Sequence, residues 1–229
     1  MKKAFTLAEV LITLTIVGTI AALTIPHVLQ DYKYKLYTAQ LKKVYSEVSD
    51  AVEMIKNDEN TDHFYETKAF SATSSKDEGA QYFLEKYMTS VTKYTDCDSS
   101  KGCQVPSESN GETLYMKLDG DKIDNKGLHG QYCVKTKSGA TVCAGFVTMI
   151  GTSKEQKFMV IATDINGKKN APNTIGRDVF SMRINHEGII TDRNDVACGN
   201  GSNLYLKGVS EYSEGCLNRI IDDDWKMEY

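Results

Sequence analysis

The stretch MKKAFTLAEVLITLTIVGTIAALTIP, residues 1–26, decides the architecture of the N-terminal part of this chain. Its apolar part runs from Phe5 to Ile25 and contains a single charge, Glu9. As an α-helix these 21 residues extend about 30 Å, which is the thickness of the hydrocarbon core of a bilayer. The sequence therefore predicts one membrane-spanning helix.

The charges in this stretch predict its orientation and a need for a partner. Lys2 and Lys3 precede the apolar run, and basic residues favour the cytoplasmic side, so we expect a single-pass protein with a cytoplasmic N-terminus. Glu9 is followed by sixteen uncharged residues, Val10–Ile25. A charged side chain costs roughly 2.5–3.5 kcal/mol at the centre of a membrane helix, and less near an interface. Glu9 therefore predicts a contact with a second chain that offsets this cost.

The same residues resemble a known family. A short basic leader ends at Ala4, Phe5 follows it, Glu9 lies four residues further on, and Pro26 closes the apolar run. This order resembles the class III signal of type IV prepilins and type II secretion pseudopilins. Ala4 is the one departure, because Gly is usual there. The resemblance covers about the first 30 residues of the chain.

The resemblance implies a processing route and a function. A prepilin peptidase is expected to cut between Ala4 and Phe5 and to N-methylate Phe5. Glu9 is then expected to pair with the Phe5 amine of a neighbouring subunit, since opposite charges in a low-dielectric bundle prefer each other to isolation. The implied function is that of a structural subunit of a type IV pilus or a type II secretion pseudopilus. It would be anchored in the inner membrane before assembly, and periplasmic or extracellular afterwards.

The implied partners are the peptidase, an inner-membrane assembly platform, and pilin-like subunits that include copies of this chain. An alternative within the family is a minor pilin, or a pilin-anchored adhesive or binding protein at a fibre tip. Two interpretations outside the family also remain. A secretory signal peptide lacks support because no A-x-A cleavage site follows the run, and a plain signal anchor would make Glu9 incidental.

The pattern predicts four segments along the chain: a leader at 1–4, a membrane and assembly helix at 5–26, an amphipathic helix at 27–58, and a globular head with disulfides at 59–229. Pro26 is expected to bend the helix at the membrane boundary, because it removes an internal hydrogen bond. The amphipathic helix is predicted to end near 57–60. One apolar stripe is predicted along it, at Leu29, Tyr32, Leu36, Leu41, Val44, Val48, Val52 and Ile55. The stripe favours contact with the head, with a partner helix in a filament as the alternative, and the family resemblance implies both contacts for different parts of the helix.

The period of the apolar pattern changes to two beyond residue 112. A short helix is predicted before that point, at Gln81–Thr92, followed by a loop at Asp96–Gly111. The predicted strands are Thr113–Leu118, Gly130–Thr136, Thr141–Ile150, Lys157–Thr163, Val179–Ile184 and Ile189–Thr191. The predicted fold class is α+β, with a long N-terminal α-helix packed on an antiparallel sheet head, as in pilins.

Six cysteines all follow the apolar run, at Cys97, Cys103, Cys133, Cys143, Cys198 and Cys216. An even number of cysteines on the exported side favours disulfides, although six allow 15 pairings. Local closure favours Cys97–Cys103, Cys133–Cys143 and Cys198–Cys216. The zinc alternative lacks support because no C-x2-C pair occurs and the histidines are scattered.

The stretch 163–180, TDINGKKNAPNTIGRDVF, looks like the D-x-N-G … P-N … G-x-D-x-F segment in the heads of many pilin-like proteins. It predicts an Asn-Gly turn, a Pro-containing loop, and a strand that begins after Asp178. A calcium site built from Asp164, Asn166 and Asp178 is the alternative, since hard cations bind clustered oxygens. Residues 119–125 are a rival oxygen-rich stretch. No other cofactor is expected.

The sequence gives little support to catalysis or to nucleic-acid binding. His27, His63, His129 and His186 are not near an evident nucleophile, and the chain lacks hydrolase, zinc-protease, phosphate-loop and dinucleotide motifs. No catalytic residue is therefore predicted. The net charge is −4 and no long basic stretch occurs, so nucleic acid is not an expected partner.

Overall fold

The computed structural model describes residues 5–88, 90–93, 97–98, 102–105, 115–122, 128–150, 155–167, 170–192, 198, 203–206, 209–212 and 215–229. For 90–93, 97–98, 102–105, 129, 149–150, 155–156, 203–206 and 209–212 only the backbone is described. The helices are α1 (Leu7–Asp58), α2 (Gly79–Lys86) and α3 (Cys216–Asp222), with a 3-10 turn at Phe64–Glu66. The strands are β1 (Ser90–Lys93), β2 (Cys97–Asp98), β3 (Gly102–Val105), β4 (Leu128–Gly130), β5 (Tyr132–Thr136), β6 (Thr141–Ile150), β7 (Glu155–Asp164), β8 (Val179–Ile184), β9 (Ile190–Thr191), β10 (Asn203–Leu206) and β11 (Val209–Tyr212).

The long helix α1 has 52 residues and ends at Asp58, in the polar run where the sequence predicts its end. Two residues later Asn60 has a φ of 51°. Asn tolerates this left-handed conformation because its short polar side chain can hydrogen-bond locally, and such a residue is common just after a helix. The helix continues through Pro26.

The chain divides into two compact units, Met1–Leu36 and Tyr37–Tyr229. In the first unit the side chains of α1 are exposed almost throughout. In the second unit, which we call the head, α1 buries one face, formed by Tyr37, Thr38, Leu41, Val44, Val48, Ala51, Val52 and Ile55. Of the predicted apolar stripe, Leu29, Tyr32 and Leu36 are 54%, 64% and 42% exposed, so the favoured contact with the head is wrong for these three residues.

Within the head, three kinds of contact hold the second half of α1. Gly188, in the turn between β8 and β9, has a φ of 91°, and a Cβ there would lie 2.8 Å from Val52 Cγ1. The Tyr87 hydroxyl donates a 3.3 Å hydrogen bond to Asp58 Oδ2. Trp225 packs edge-on against Tyr45, with ring centroids 5.4 Å apart. Close backbone approach, a polar contact and an aromatic pair thus hold the second half of the helix on the head.

The central sheet has six antiparallel strands in the order β1-β5-β6-β7-β8-β9. The long strands β6 and β7 pair from Thr141 opposite Asp164 to Ile150 opposite Glu155. Two smaller sheets are formed by β2-β3-β4 and by β10-β11. A long N-terminal helix and an antiparallel sheet make this an α+β fold, which confirms the predicted class and is consistent with the pilin-like description.

The predicted elements between residues 81 and 118 need three corrections. The helix predicted at Gln81–Thr92 ends at Lys86, and its last residues, including the β-branched Val91 and Thr92, belong to β1. The predicted loop Asp96–Gly111 contains the antiparallel pair β2 and β3. The predicted strand Thr113–Leu118 is described from residue 115 onward, and there Met116 forms isolated bridges to Lys122 and Thr174 rather than a strand.

Candidate functional site

The first unit presents an exposed apolar helix surface. The large apolar side chains of this surface are at least 42% exposed: Leu7, Val10, Leu11, Ile12, Leu14, Ile16, Val17, Ile20, Leu23, Ile25, Val28, Leu29, Tyr32 and Leu36. By length and composition α1 is compatible with a single membrane span, and its most apolar 18-residue stretch is not buried within the structure. An apolar surface of this extent marks a site that meets a membrane or another protein.

Glu9 caps the start of α1. The backbone N–H and the hydroxyl of Thr6 each donate to Glu9 Oε2 at 2.8 Å, and the Glu9 N–H donates to Thr6 Oγ1 at 3.2 Å. This reciprocal pattern is a capping box, which satisfies backbone donors that the first turn of a helix leaves open. Glu9 therefore has a partner inside its own chain, a contact that was not predicted from the sequence. The spacing Thr6-x-x-Glu9 is the signal that predicts it.

Four threonines in the apolar run bond back to their own helix. The hydroxyl groups of Thr13, Thr15, Thr19 and Thr24 donate to the backbone carbonyls of Val10, Leu11, Ile16 and Ile20 at 2.8–3.0 Å. Side-chain donors in a hydrocarbon environment need such acceptors, because no water competes there. These four hydroxyl groups thus have hydrogen-bond acceptors within their own helix. The only ionisable side chain between Phe5 and Ile25 is that of Glu9.

Of the residues that the resemblance assigns to processing and assembly, Phe5 and Glu9 lie at the start of α1 and Pro26 lies inside it. Ala4 lies outside the described residues. Phe5 is 85% exposed and immediately precedes the capping box. Pro26 lies inside α1, next to the first polar turn, where His27 Nε2 is 3.8 Å from Asp31 Oδ2.

Two of the three favoured cysteine pairings are present as disulfides. Cys133 and Cys143 face each other across β5 and β6, and their sulfurs are bonded. Cys198 is bonded to Cys216, the first residue of α3. Cys97 and Cys103 are opposite each other in the backbone register of β2 and β3, but their side chains lie outside the described part of the chain. The third pairing therefore stays a prediction.

Asp178 organises the connection between β7 and β8. Its Oδ2 accepts the Asn173 N–H at 2.8 Å and the Asn166 side-chain amide at 3.1 Å, and its Oδ1 accepts the Thr174 N–H at 2.6 Å. The predicted Asn-Gly turn is present, with Gly167 at a φ of 80°, and β8 begins directly after Asp178. The structural interpretation of this stretch is thus confirmed.

Asp164, at the end of β7, lies close to this arrangement. Burial, and then the charge of Asp178, raise the pKa of Asp164 to about 8, and a 3.2 Å hydrogen bond from the buried Tyr115 hydroxyl to Asp164 Oδ2 partly opposes this rise. Burial also raises the pKa of Asp178 to about 6, against the lowering effect of the Thr174 and Asn173 amides. Two buried carboxylates therefore share one region.

An aromatic cavity on the head was not anticipated from the sequence. It has a volume of about 490 Å³ and is lined by Tyr65, Phe70, Ser71, Ala72, Phe146, Lys157 and His186. The Phe70 ring packs against Phe146 and His186, with centroids 5.0 and 5.1 Å away. These residues come from distant parts of the chain, so no local motif predicts the cavity.

The three histidines whose side chains are described have different neighbours. His27 lies near Asp31, His63 Nδ1 is 2.6 Å from Glu187 Oε2, and His186 lines the aromatic cavity. Within the described ranges, no three His, Cys, Asp or Glu side chains are grouped so that they could hold a metal ion.

Comparisons of the chain with protein-family models, with curated proteins and with solved structures gave no match.

Proposed function

We propose that this chain is a structural subunit of a type IV pilus or a type II secretion pseudopilus. The exposed first part of α1 anchors it in the inner membrane before assembly and forms the contacts between subunits afterwards. The proposal includes cleavage between Ala4 and Phe5 by a prepilin peptidase, and delivery to an assembly platform in the inner membrane.

The change in burial along α1 carries this proposal. Up to Leu36 its apolar side chains are exposed, whereas from Tyr37 onward one face is buried in the head. A helix that served only the core of the head would not need the additional exposed turns. The exposed part suits lipid before assembly and neighbouring helices afterwards, because both present apolar surfaces.

Glu9 supplies the specific element of the proposed assembly. The apolar contacts of a uniform helix surface change little when one helix slides along another, whereas a charge pair fixes one register. The partner proposed for Glu9 is the free amine that cleavage creates at Phe5 of a neighbouring subunit. The capping box uses one carboxylate oxygen of Glu9, Oε2. The cap and the proposed ion pair are compatible, because a carboxylate accepts several hydrogen bonds.

The test separates assembly from helix capping. Glu9→Leu removes both the charge and the cap, Glu9→Gln removes the charge alone, and Thr6→Ala removes the hydroxyl of the cap while it keeps the charge. Losing one partner of a buried ion pair costs about 3–5 kcal/mol, whereas losing a cap costs about 1 kcal/mol. We expect Glu9→Leu to abolish filaments, Glu9→Gln to give an intermediate yield, and Thr6→Ala to assemble nearly normally.

The measurement is co-expression with an assembly machinery, followed by quantification of sheared filament and of membrane-bound monomer. Glu9→Leu should leave the monomer inserted, because it removes a polar group from the apolar segment. A normal filament yield from Glu9→Leu would contradict the proposal. An equal loss in Thr6→Ala and Glu9→Leu would assign the effect to capping instead.

The aromatic cavity favours a second candidate, a minor pilin or pilin-anchored binding protein at a fibre tip. Cavities of this size, with aromatic walls and a few polar groups, are typical of ligand sites. Stoichiometry distinguishes the two candidates. A sheared preparation in which this chain predominates supports the structural subunit, whereas trace amounts at fibre ends support the binding protein.

A further inference from the structure

We propose that the aromatic cavity of the head binds a small aromatic carboxylate, a ligand with a flat aromatic ring and one attached negative group. The proposal rests on the second candidate function, in which the head binds a ligand, and it adds the chemical class of that ligand. It does not involve the exposed first part of α1, so ligand binding and filament assembly are measured separately.

The floor of the cavity lies on one face of the central sheet. Phe146 of β6 is opposite Met159 of β7, and Lys157 comes two residues before Met159, so the side chains of Phe146 and Lys157 share one face. His186 follows the end of β8 by two residues. The register of the strands, and not proximity in the sequence, therefore brings an aromatic ring and an ammonium group to the same cavity.

The aromatic walls of the cavity are held in place from behind. The Phe70 ring packs edge-on against Phe146, at an angle of 89°, and against the fully buried Phe64, whose ring centroid is 5.8 Å away. The backbone N–H of Tyr65 donates to the His186 carbonyl at 3.0 Å. Rings that already have fixed neighbours lose little conformational freedom when a ligand enters, which favours binding.

The Gln131 side chain joins one wall of the cavity to its floor. Its amide nitrogen donates to the Ala72 carbonyl at 2.9 Å, and its amide oxygen accepts the Phe146 N–H at 2.9 Å. The segment that contains Ala72 is thus tied to β6. Ligand sites in proteins are usually formed before the ligand arrives, and these contacts give the cavity such a fixed shape.

The charges at the cavity favour an anion. Of the described residues that line it, Lys157 is the cation, His186 is the other basic group, and none carries a carboxylate. The nearby carboxylate of Glu187 is paired with His63, whose Nδ1 is 2.6 Å from Glu187 Oε2. An ammonium group binds an anionic group through a charge-assisted hydrogen bond, which is stronger than one between neutral groups.

The polar groups of the walls favour an aromatic ring over a sugar. The Tyr65 hydroxyl is hydrogen-bonded to Glu66, which raises the pKa of Tyr65, and the Ser71 hydroxyl donates to Glu78 Oε2 at 2.9 Å. Both hydroxyl groups therefore already have acceptors, whereas a sugar ring needs several hydrogen bonds. The two phenylalanine rings of the cavity stand at nearly a right angle, so a flat ring can stack on one and meet the edge of the other.

The test titrates the full chain in detergent with cinnamate and follows binding by calorimetry. We expect saturable binding that is about tenfold tighter than that of cinnamamide, a neutral analogue of the same shape, because a hydrogen bond between charged groups adds to affinity. Glucuronate, an acidic sugar, should bind more weakly than cinnamate. Partition of a ligand into detergent micelles is the same for every variant, so differences between variants report the cavity.

Lys157→Gln tests the charge. It should weaken cinnamate binding about tenfold and change cinnamamide binding little, so that this variant no longer distinguishes the two ligands. Lys157→Arg should keep the preference for cinnamate, because it keeps the positive charge. Lys135→Gln is the matched control and should bind as the wild type does. Lys135 is exposed and is opposite Thr141, on the other face of the same sheet.

Ala72→Trp tests the space. Ala72 is exposed and lines the cavity, so a large side chain there should fill the cavity and abolish cinnamate binding. The variant should melt at the wild-type temperature, because the contact of Ala72 with Gln131 uses the backbone carbonyl and no buried side chain is removed. It should also form filaments at the wild-type yield while it binds no ligand.

The outcomes are decisive in both directions. Cinnamate binding that Ala72→Trp abolishes, with a preference over cinnamamide that Lys157→Gln removes and Lys135→Gln keeps, would support the site. Absence of saturable binding to the wild-type chain, wild-type binding by Ala72→Trp, equal affinity of the wild type for cinnamate and cinnamamide, or tighter binding of glucuronate would each overturn it. A chain that binds cinnamate in this way without forming filaments would support the site and contradict the filament subunit alone.

Discussion

At the residue scale, Glu9 has one purpose that its contacts show and a second that we propose. Within the chain it closes the capping box with Thr6, which organises the first turn of α1. In the proposed filament it also pairs with an amine of a second chain. The two purposes are compatible because a helix N-terminus attracts negative charge, so the cap holds the carboxylate where an incoming amine can meet it.

Processing at Phe5 is the first prediction at this scale. Phe5 is exposed ahead of the helix, and it follows the residue at which the resemblance places the cut. We expect the mature chain to begin at Phe5 with an N-methyl group. Mass spectrometry of the intact N-terminus measures this directly, and assembled material that retains Met1, or begins beyond Ile25, would rule the prepilin interpretation out.

The sequence predicts some polar residues of the β7–β8 connection but not their partners. Asp164, Asn166 and Asp178 stand out because oxygen-bearing residues cluster within a short stretch. Asn173 and Tyr115 do not, since their relation to Asp164 depends on how the loop folds and on a contact across 49 positions. Thr6 and Glu9 are a local pair, and the capping box could have been found from their spacing alone.

At the scale of elements, α1 changes its environment at Tyr37. The same apolar period continues across this point, so periodicity alone does not show where burial begins. What the head adds is a partner surface, because the end of α2, the β8–β9 turn and Trp225 contact Asp58, Val52 and Tyr45 of the later part of the helix.

A matched pair of substitutions tests this change. Leu41 is fully buried and Leu36 is 42% exposed on the same helix. Leu41→Ala should lower the free energy of unfolding by about 2–5 kcal/mol, because it removes buried methyl groups and leaves a cavity, whereas Leu36→Ala should change it by less than about 1 kcal/mol. Denaturant titration followed by the fluorescence of Trp225, the single tryptophan, measures both. Equal effects would contradict the assigned burial.

The strands differ in how well the sequence predicts them. The bounds of β6 and β8 match the predicted Thr141–Ile150 and Val179–Ile184, because turn residues stand at their ends. The hairpin of β10 and β11 and the pair β2–β3 were not predicted. These strands have two to four residues each, too few for an alternating pattern to show.

At the scale of the whole molecule, disulfides complement the hydrophobic core of the head. Cys133–Cys143 links two neighbouring strands of the central sheet, and Cys198–Cys216 links the start of α3 to a residue 18 positions earlier. Loop-closure entropy gives the second link a stabilisation of about 3 kcal/mol. Such links suit an exported protein, because oxidising compartments preserve them.

The thiol content of the chain, purified without reductant, tests this arrangement. Alkylation without reduction should leave all four of these cysteines unlabelled, because each is disulfide-bonded. We expect the same of Cys97 and Cys103, which are opposite each other in the backbone of β2 and β3. Mass measurement before and after reduction counts the thiols. Quantitative labelling of Cys97 and Cys103 would contradict their pairing and leave the other two bridges in place.

The two bridges also decide which parts of the chain can bear load. Under tension a covalent bridge carries the force, and the residues it encloses stay slack. The bridges span 10 and 18 positions, so together they withhold about 90 Å of contour length from an oxidised chain at full stretch. A reduced chain would release that length. The redox state of the head therefore sets how far the chain can extend before its backbone is taut.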